Sequence, residues 1–368
     1  MTLDAIVIGA GPAGLATSRE LARRTVRHVV LERGDRLGHT WANLYDSLVL
    51  HTGKHLSSLP GLAFSRETPL FPARRDFLDY LDRYAATFGL PIETGADVTR
   101  VERSATGWHV RTRSGAELHA RAIVAATGIV ANPHVPVIPG RDRFAGRVQH
   151  SVEYRRPSSV PGARVLVVGV GNSAGEIAAE LADAGRHVTL SVRSGAFAVP
   201  LTVAGLPIQY VSIAYGYLPR PAQRGLATLI GRIAALRRGK GVLPPPDPAG
   251  CPKVPLIGFN LTNHLRRGTI ALRRGIGSFT STGVQFADGA AQPFDEVILA
   301  TGYRAAVGML GDQIRVDACG YGRRRNKVVS EDQPDLYYVG HNPDVRGGLF
   351  SISRDAKRAA KLIAEASR

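Results

Sequence analysis

Two stretches of the chain, 160 residues apart from Gly9 to Gly169, carry the same pattern. AIVIGAGPAG (Ala5–Gly14) is an aliphatic run that ends in Gly9-x-Gly11-x-x-Gly14, and ATSRELARR beyond it has helical spacing. RVLVVGVGNSAGEIAAELADAG repeats the order, with Gly169-x-Gly171-x-x-Ala174 between its strand and its helix. A strand that turns straight into a helix through glycines allows few folds. The first glycine permits the tight turn, the second leaves the backbone bare for a pyrophosphate, and the third residue must be small so that helix and strand can touch. The helix N-terminus then faces the phosphate charge, with Pro12 and Ala13 opening the first helix and Asn172 and Ser173 the second. Two such units predict an α/β protein with two dinucleotide-binding, Rossmann-like domains.

The strand after each fingerprint shows what each copy binds. The first, HVVLE, ends in Glu32 beside Arg33, and a carboxylate there accepts hydrogen bonds from a ribose diol. The equivalent place in the second copy holds Val192, followed by Arg193 and Ser194. Without the acid and with a guanidinium, that site suits a ribose 2′-phosphate. The expected cofactors are therefore FAD in the first domain and NADPH in the second. Each fingerprint is followed downstream by an apolar strand closing in Ala-Thr-Gly, at Thr127-Gly128 and at Thr301-Gly302. The expected layout is an FAD domain in two pieces, 1–155 and 290–368, with the NADPH domain, 156–289, inserted between them.

Composition removes several alternatives. With 44% hydrophobic and 21% charged residues the chain is ordinary globular protein. Its formal charge of +17 comes mostly from scattered arginines, since lysine supplies six of 47 basic residues, and no nucleic-acid motif accompanies them. Cys251 and Cys319 form no Cys-x-x-Cys pair and no metal-ligand cluster. No window reaches the ~18 uninterrupted apolar residues of a spanning helix, and no basic leader precedes the first strand, so a cytoplasmic protein without membrane association is expected.

FAGRVQHSVEY fits F-x-G-x-x-x-H-x-x-x-Y through Phe144, Gly146, His150 and Tyr154. This resembles the signature of the flavin-containing monooxygenases, and its terminal Tyr, where the related Baeyer-Villiger enzymes have Trp, puts it nearer the heteroatom-oxidising side. The resemblance implies that Gly146 allows close backbone approach and that His150 holds the two domains in register as NADP(H) binds. ERGDRLGHTW is similar to the family's flavin-side loop, with Gly38, Thr40 and Trp41 in place and His39 where a second glycine is usual. YDSLVLHTGKHLSSLPG and FPARRDFLDYLDRYAATFGL are similar to YUCCA-type members, which share a histidine at the place of His51, three residues before Lys54. In DLYYVGHNPDVRGGLF, the wider flavoprotein class brings Gly347, Gly348 and Leu349 to the flavin.

The implied reaction reduces FAD with NADPH and passes one oxygen atom of O2, through a hydroperoxyflavin, to a small sulfur, nitrogen or α-keto acid substrate. His51 and Lys54 are the candidate catalytic residues. A reductase or oxidase of the same fold and a non-catalytic FAD-binding scaffold are the alternatives. A homodimer is left open. Residues 200–250 carry no chemical motif; Leu226, Leu229, Ile230, Ile233 and Leu236 have the spacing of a helix that packs on the NADPH domain, covers a substrate channel or rests on an anionic membrane.

Overall fold

The computed structural model describes residues 3–223, 225, 242–247, 255–342 and 346–366. The chain forms two compact units, one made of Met1–Asn132 with Tyr303–Arg368 and the other of Pro133–Gly302.

In the first unit the aliphatic run Leu3–Ile8 is the centre of a parallel array, flanked by His28–Leu31 on one side and by Glu117–Ala125, then Leu336–Tyr338, on the other. Residues of alternating side separate cleanly onto the two faces. Ala5, Val7, Val30, Ala122 and Val124 pack beneath the helices Pro12–Ala22, Arg74–Phe88 and Gly348–Ala366. Ile6, Ile8, Leu31, Ile123 and Ala125 pack on the other face with Trp108 and Val110 of the antiparallel strand Gly107–Thr112. Both faces are covered, so the central strands read as continuous apolar runs. Each fully buried Val, Leu or Ile contributes roughly 1.5–3 kcal/mol of transfer free energy.

The second unit is built on five parallel strands in the order Ile270–Arg274, His187–Val192, Arg164–Val168, Glu296–Leu299, Arg147–His150. Leu166, Val297 and Leu299 share a core with Phe144, Phe279, Phe286 and Phe294. The two units divide after Asn132 and Gly302, where the expected layout divides at 155 and 290. Arg147–His150 is the edge strand that pairs with Glu296–Leu299, and Asp295 accepts from the Ala163 and Arg164 amides at 3.1 and 2.8 Å. The strand ending in Thr301-Gly302 therefore closes the second unit's own sheet, as the strand ending in Thr127-Gly128 closes the first unit's. The helix expected over Leu226–Leu236 lies outside the described residues. No helix among the described residues is long and apolar enough to cross a membrane.

Candidate functional site

The two fingerprints fold alike. Gly9 and Gly169 have φ of +105° and +128°, in the region glycine favours, and each amide donates to the next strand, Gly9 to the Leu31 carbonyl at 2.7 Å and Gly169 to that of Ser191 at 2.9 Å. A Cβ on Gly9 would stand 2.7 Å from the Ala126 carbonyl oxygen, and one on Gly169 only 2.2 Å from that of Ala300. A Cβ on Gly14 would meet the Gly9 carbonyl oxygen at 1.8 Å. The middle glycines behave differently. Gly11 and Gly171 begin their helices without a side-chain cap, and an added Cβ at either would meet nothing within 4 Å. The protein leaves that space open where a dinucleotide's pyrophosphate would rest on helix amides.

In the first unit the expected FAD residues gather at the carboxyl ends of the parallel strands, the place where doubly wound sheets bind ligands. Glu32, 6% exposed, accepts from the Ala10 amide at 2.7 Å and the Gly34 amide at 2.9 Å, which holds the loop after its strand against the fingerprint. Arg33 beside it is exposed. The Gly38 amide donates to the Ala10 carbonyl, and Gly38 adopts φ +61° against Leu78 and Leu81. His39, the departure from the usual glycine pair, covers Gly34: a Cβ there would lie 2.4 Å from the imidazole. Thr40 and Trp41 follow in a single helical turn, with Trp41 edge-on to Phe77 at 4.7 Å. Thr127 Oγ1 is buried and finds no partner among the described residues, and Gly128 (φ +77°) leaves open space beside it. An orphaned hydroxyl beside a bare helix N-terminus fits a polar cofactor. The returning segment also converges: a Cβ on Gly340 would touch that of Ala13 at 3.1 Å, and one on Gly347 (φ +113°) would meet Thr52 Oγ1 at 2.7 Å. Gly348 and Leu349 open the final helix there.

This last contact brings His51, the residue before Thr52, beside the Gly347 loop. Lys54 has another task. Its ammonium donates to the carbonyls of Ser65, Arg66 and Thr68 at 3.1, 3.0 and 2.6 Å, and its amide to that of Leu70. Those three carbonyls engage all three ammonium protons in this structure, so Lys54, expected as a catalytic residue, ties down residues 65–70.

In the second unit the FAGRVQHSVEY residues are packed and bonded within the protein. Phe144 is buried against Phe279 at 5.3 Å, and a Cβ on Gly146 would meet the Phe144 ring at 2.4 Å and the Asp295 carbonyl oxygen at 2.6 Å. Gly146, expected to allow close backbone approach, is closely packed by protein atoms. His150, 3% exposed, accepts at Nδ1 from the Val152 amide (3.2 Å), which makes Nε2 the protonated nitrogen that donates to the Gly302 carbonyl at 3.1 Å. Burial holds its pKa below the usual histidine value. Tyr154 is fully buried and donates to Glu180 of the fingerprint helix at 2.8 Å. Within this unit, then, the motif ties the edge strand to the Thr301-Gly302 turn and to that helix. Thr301 Oγ1 donates to the His134 carbonyl. Asn172 is also committed: its Oδ1 accepts from the Ile257 amide at 2.7 Å and its Nδ2 donates to the Pro255 carbonyl. Ser173 is half-buried in the same first turn. Arg193 and Ser194 line a cavity of about 360 Å³ at the end of His187–Val192. Sequence reasoning missed its other walls, because Pro244–Asp247 and Arg274 are brought there by tertiary structure.

Residues 6–200 match the pyridine nucleotide-disulphide oxidoreductase family. Over 375 residues the chain is 37% identical to the rice indole-3-pyruvate monooxygenase YUCCA1, covering 98% of this chain and 91% of the relative. It is 34% identical over 315 residues, 82% of this chain and 76% of the relative, to the probable indole-3-pyruvate monooxygenase YUCCA1 of Arabidopsis thaliana. Among solved structures, the flavin-containing monooxygenase from Stenotrophomonas maltophilia superposes with a TM-score of 0.79 at 25% identity, covering 100% of this chain and 99% of that one. With both fingerprints intact and the space above them open, the chain belongs to the YUCCA-type flavin-containing monooxygenases, NADPH- and FAD-dependent enzymes that insert one atom of O2 into a small substrate.

Proposed function

We propose that the substrate is an α-keto acid with an aromatic side chain, which the enzyme oxidatively decarboxylates to the carboxylic acid one carbon shorter and CO2. The observation that carries this reading is near-full-length identity of 37% to a protein named an indole-3-pyruvate monooxygenase. FAD, once reduced, would supply the oxygen activation. The chain's own residues bind and orient. Gly9, Gly11, Gly14 and the first turn at Pro12 and Ala13 would hold the pyrophosphate; Glu32, with Arg33, the adenosine ribose; Gly38, Thr40, Trp41, Thr127, Gly128 and Gly347–Leu349 the rest of the flavin nucleotide. Gly169, Gly171, Ser173, Arg193 and Ser194 would hold NADPH. His51 is kept as the side chain that hydrogen-bonds reacting groups, supported by Thr52 packing on the Gly347 loop.

The test is stoichiometry. With NADPH, O2 and indole-3-pyruvate, about one CO2 should appear per NADPH oxidised, with little hydrogen peroxide. If every NADPH ends as peroxide, the oxidase reading replaces this one; if sulfides or amines are oxygenated while the keto acid is untouched, the substrate proposal is wrong.

A further inference from the structure

The last helix of the first unit, Gly348–Ala366, carries an aspartate on its buried face. Asp355, 4% exposed, accepts from the Gly340 amide and, at Oδ2, from Asn342 Nδ2 at 2.6 Å. Asn342 uses its whole side chain. Its Nδ2 also donates to the Lys327 carbonyl at 2.8 Å, and its Oδ1 accepts from Arg324 Nε at 3.0 Å. Arg324 is as fully committed, donating to the His341 carbonyl at 2.7 Å and the Gly322 carbonyl at 3.0 Å while it lies over the Tyr321 ring. The Ser351 hydroxyl, at the start of the helix, stands 2.9 Å from the carbonyl oxygens of both Asn342 and Gly348. Each residue of Gly340–Asn342 is thus bonded to Arg324, Asp355 or Ser351.

A buried carboxylate and a guanidinium joined only through an amide are a weak source of stability, since apolar groups of the same volume often do as well. What a fully satisfied network supplies is one fixed position. Here the position bears on the first site. A Cβ on Gly340 would touch that of Ala13, in the first turn of the fingerprint helix, and one on Gly347, beyond Asn342, would meet Thr52 beside His51. We infer that Asp355 and Arg324, acting through Asn342, are positioning residues for the flavin: they hold Gly340–Asn342 against the fingerprint helix and the helix that begins at Gly348 in its place beside Thr52. This rests on the FAD reading of the first fingerprint and of Gly347–Leu349.

The rate of FAD release from the holoenzyme, followed by flavin fluorescence, and the visible circular dichroism of the bound flavin test this without turnover. Asp355→Asn keeps the shape but sets an amide donor against that of Gly340 or of Asn342, so it should release FAD about tenfold faster or more and alter the flavin dichroism. Arg324→Lys keeps the charge and loses the fork; it should act in the same direction more weakly, and it carries the test if Asp355→Asn does not fold. Because both side chains act on Asn342, the double variant should release FAD little faster than Asp355→Asn alone. Ile363→Val, further along the same helix and 1% exposed, is the control: it should lower the melting temperature and leave FAD release and dichroism as in wild type. If Asp355→Asn and Arg324→Lys behave as Ile363→Val does, or if their effects on FAD release simply add, the network is ordinary core and the inference is wrong. If Gly11→Val binds FAD as wild type does, the reading of the first site has failed, and the inference falls with it.

Discussion

The two fingerprints share one backbone and differ at the ribose. Both turn a parallel strand into a helix through a glycine of positive φ, and both leave the middle glycine bare. At the next strand end the first unit buries Glu32, whose carboxylate already caps two loop amides, whereas the second buries Val192 and opens a cavity between two arginines. The turn is fixed by sterics that any dinucleotide imposes, so it repeats. The ribose end is fixed by the charge of one particular ligand, so it diverges.

The largest effects should come from the glycines, and they separate folding from binding. Gly14→Val drives a side chain into the Gly9 carbonyl, so this variant should fail to accumulate as folded protein. Gly11→Val meets only open space and should fold, yet purify colourless, because the new side chain fills the place of the pyrophosphate. Gly171→Val should stay yellow and lose NADPH-dependent flavin reduction. A yellow Gly11→Val protein with wild-type flavin content would end the assignment of the first site, and loss of flavin from Gly171→Val would end the separation of the two.

How much of this could be read in advance follows from distance along the chain. The fold class and both turns were legible because strand, glycines, helix and the following strand lie within about thirty residues, where local sterics decide. Glu32 and Arg193 were legible for the same reason. Arg274 was not, since it joins the cavity only through its register with Val192, 82 positions earlier. The partners of Lys54 and Tyr154 were hidden for a related reason. A motif marks a residue as needed without saying whether the need is chemical or architectural, and the carbonyls around Lys54 and the Glu180 partner of Tyr154 are visible only in three dimensions.

A second test exchanges the ribose readings. Arg193→Ala should reduce the ratio of kcat/KM for NADPH over NADH about ten- to a hundredfold, the ~1.5–3 kcal/mol of a charge-assisted contact to phosphate, with NADH kinetics nearly unchanged. Anaerobic flavin reduction measures it. An unchanged ratio would place the phosphate elsewhere, and wild-type preference for NADH would overturn the contrast between Glu32 and Arg193.

The segment His51–Lys54 has no counterpart among the described residues of the second unit and provides a third, smaller effect. Lys54→Met removes three charge-assisted bonds at a half-exposed site and should lower stability by about 1–2 kcal/mol in urea titrations, while CO2 and peroxide yields stay as in wild type. His51→Ala should do the reverse, raising peroxide yield with little change in stability. Raised peroxide from Lys54→Met at unchanged stability would return that lysine to the chemistry.

Two buried histidines, one in each unit, differ in their partners, and pH exposes the difference. His150 has both ring nitrogens engaged. His341, in the first unit, is 0% exposed, packs against Tyr338 and Tyr321, and finds no hydrogen-bond partner for either nitrogen among the described residues; burial, helped by nearby Arg324, pushes its pKa down to about 3. A histidine whose folded pKa lies below its unfolded value of 6.5 contributes fully above that value, and the contribution is lost as pH falls from there toward the folded pKa. Within this window the unfolded chain takes up a proton that the folded one refuses, which steepens the loss of stability by about 1.4 kcal/mol per pH unit. His341→Phe removes that proton and the two unsatisfied nitrogens together. The variant should match or exceed wild-type stability near about pH 8, and its advantage should widen by about 1 kcal/mol or more near about pH 5. Urea unfolding of both proteins at the two pH values is the measurement. Parallel pH slopes would mean that the His341 ring titrates normally in the folded protein, and the asymmetry between the two buried histidines would then be lost.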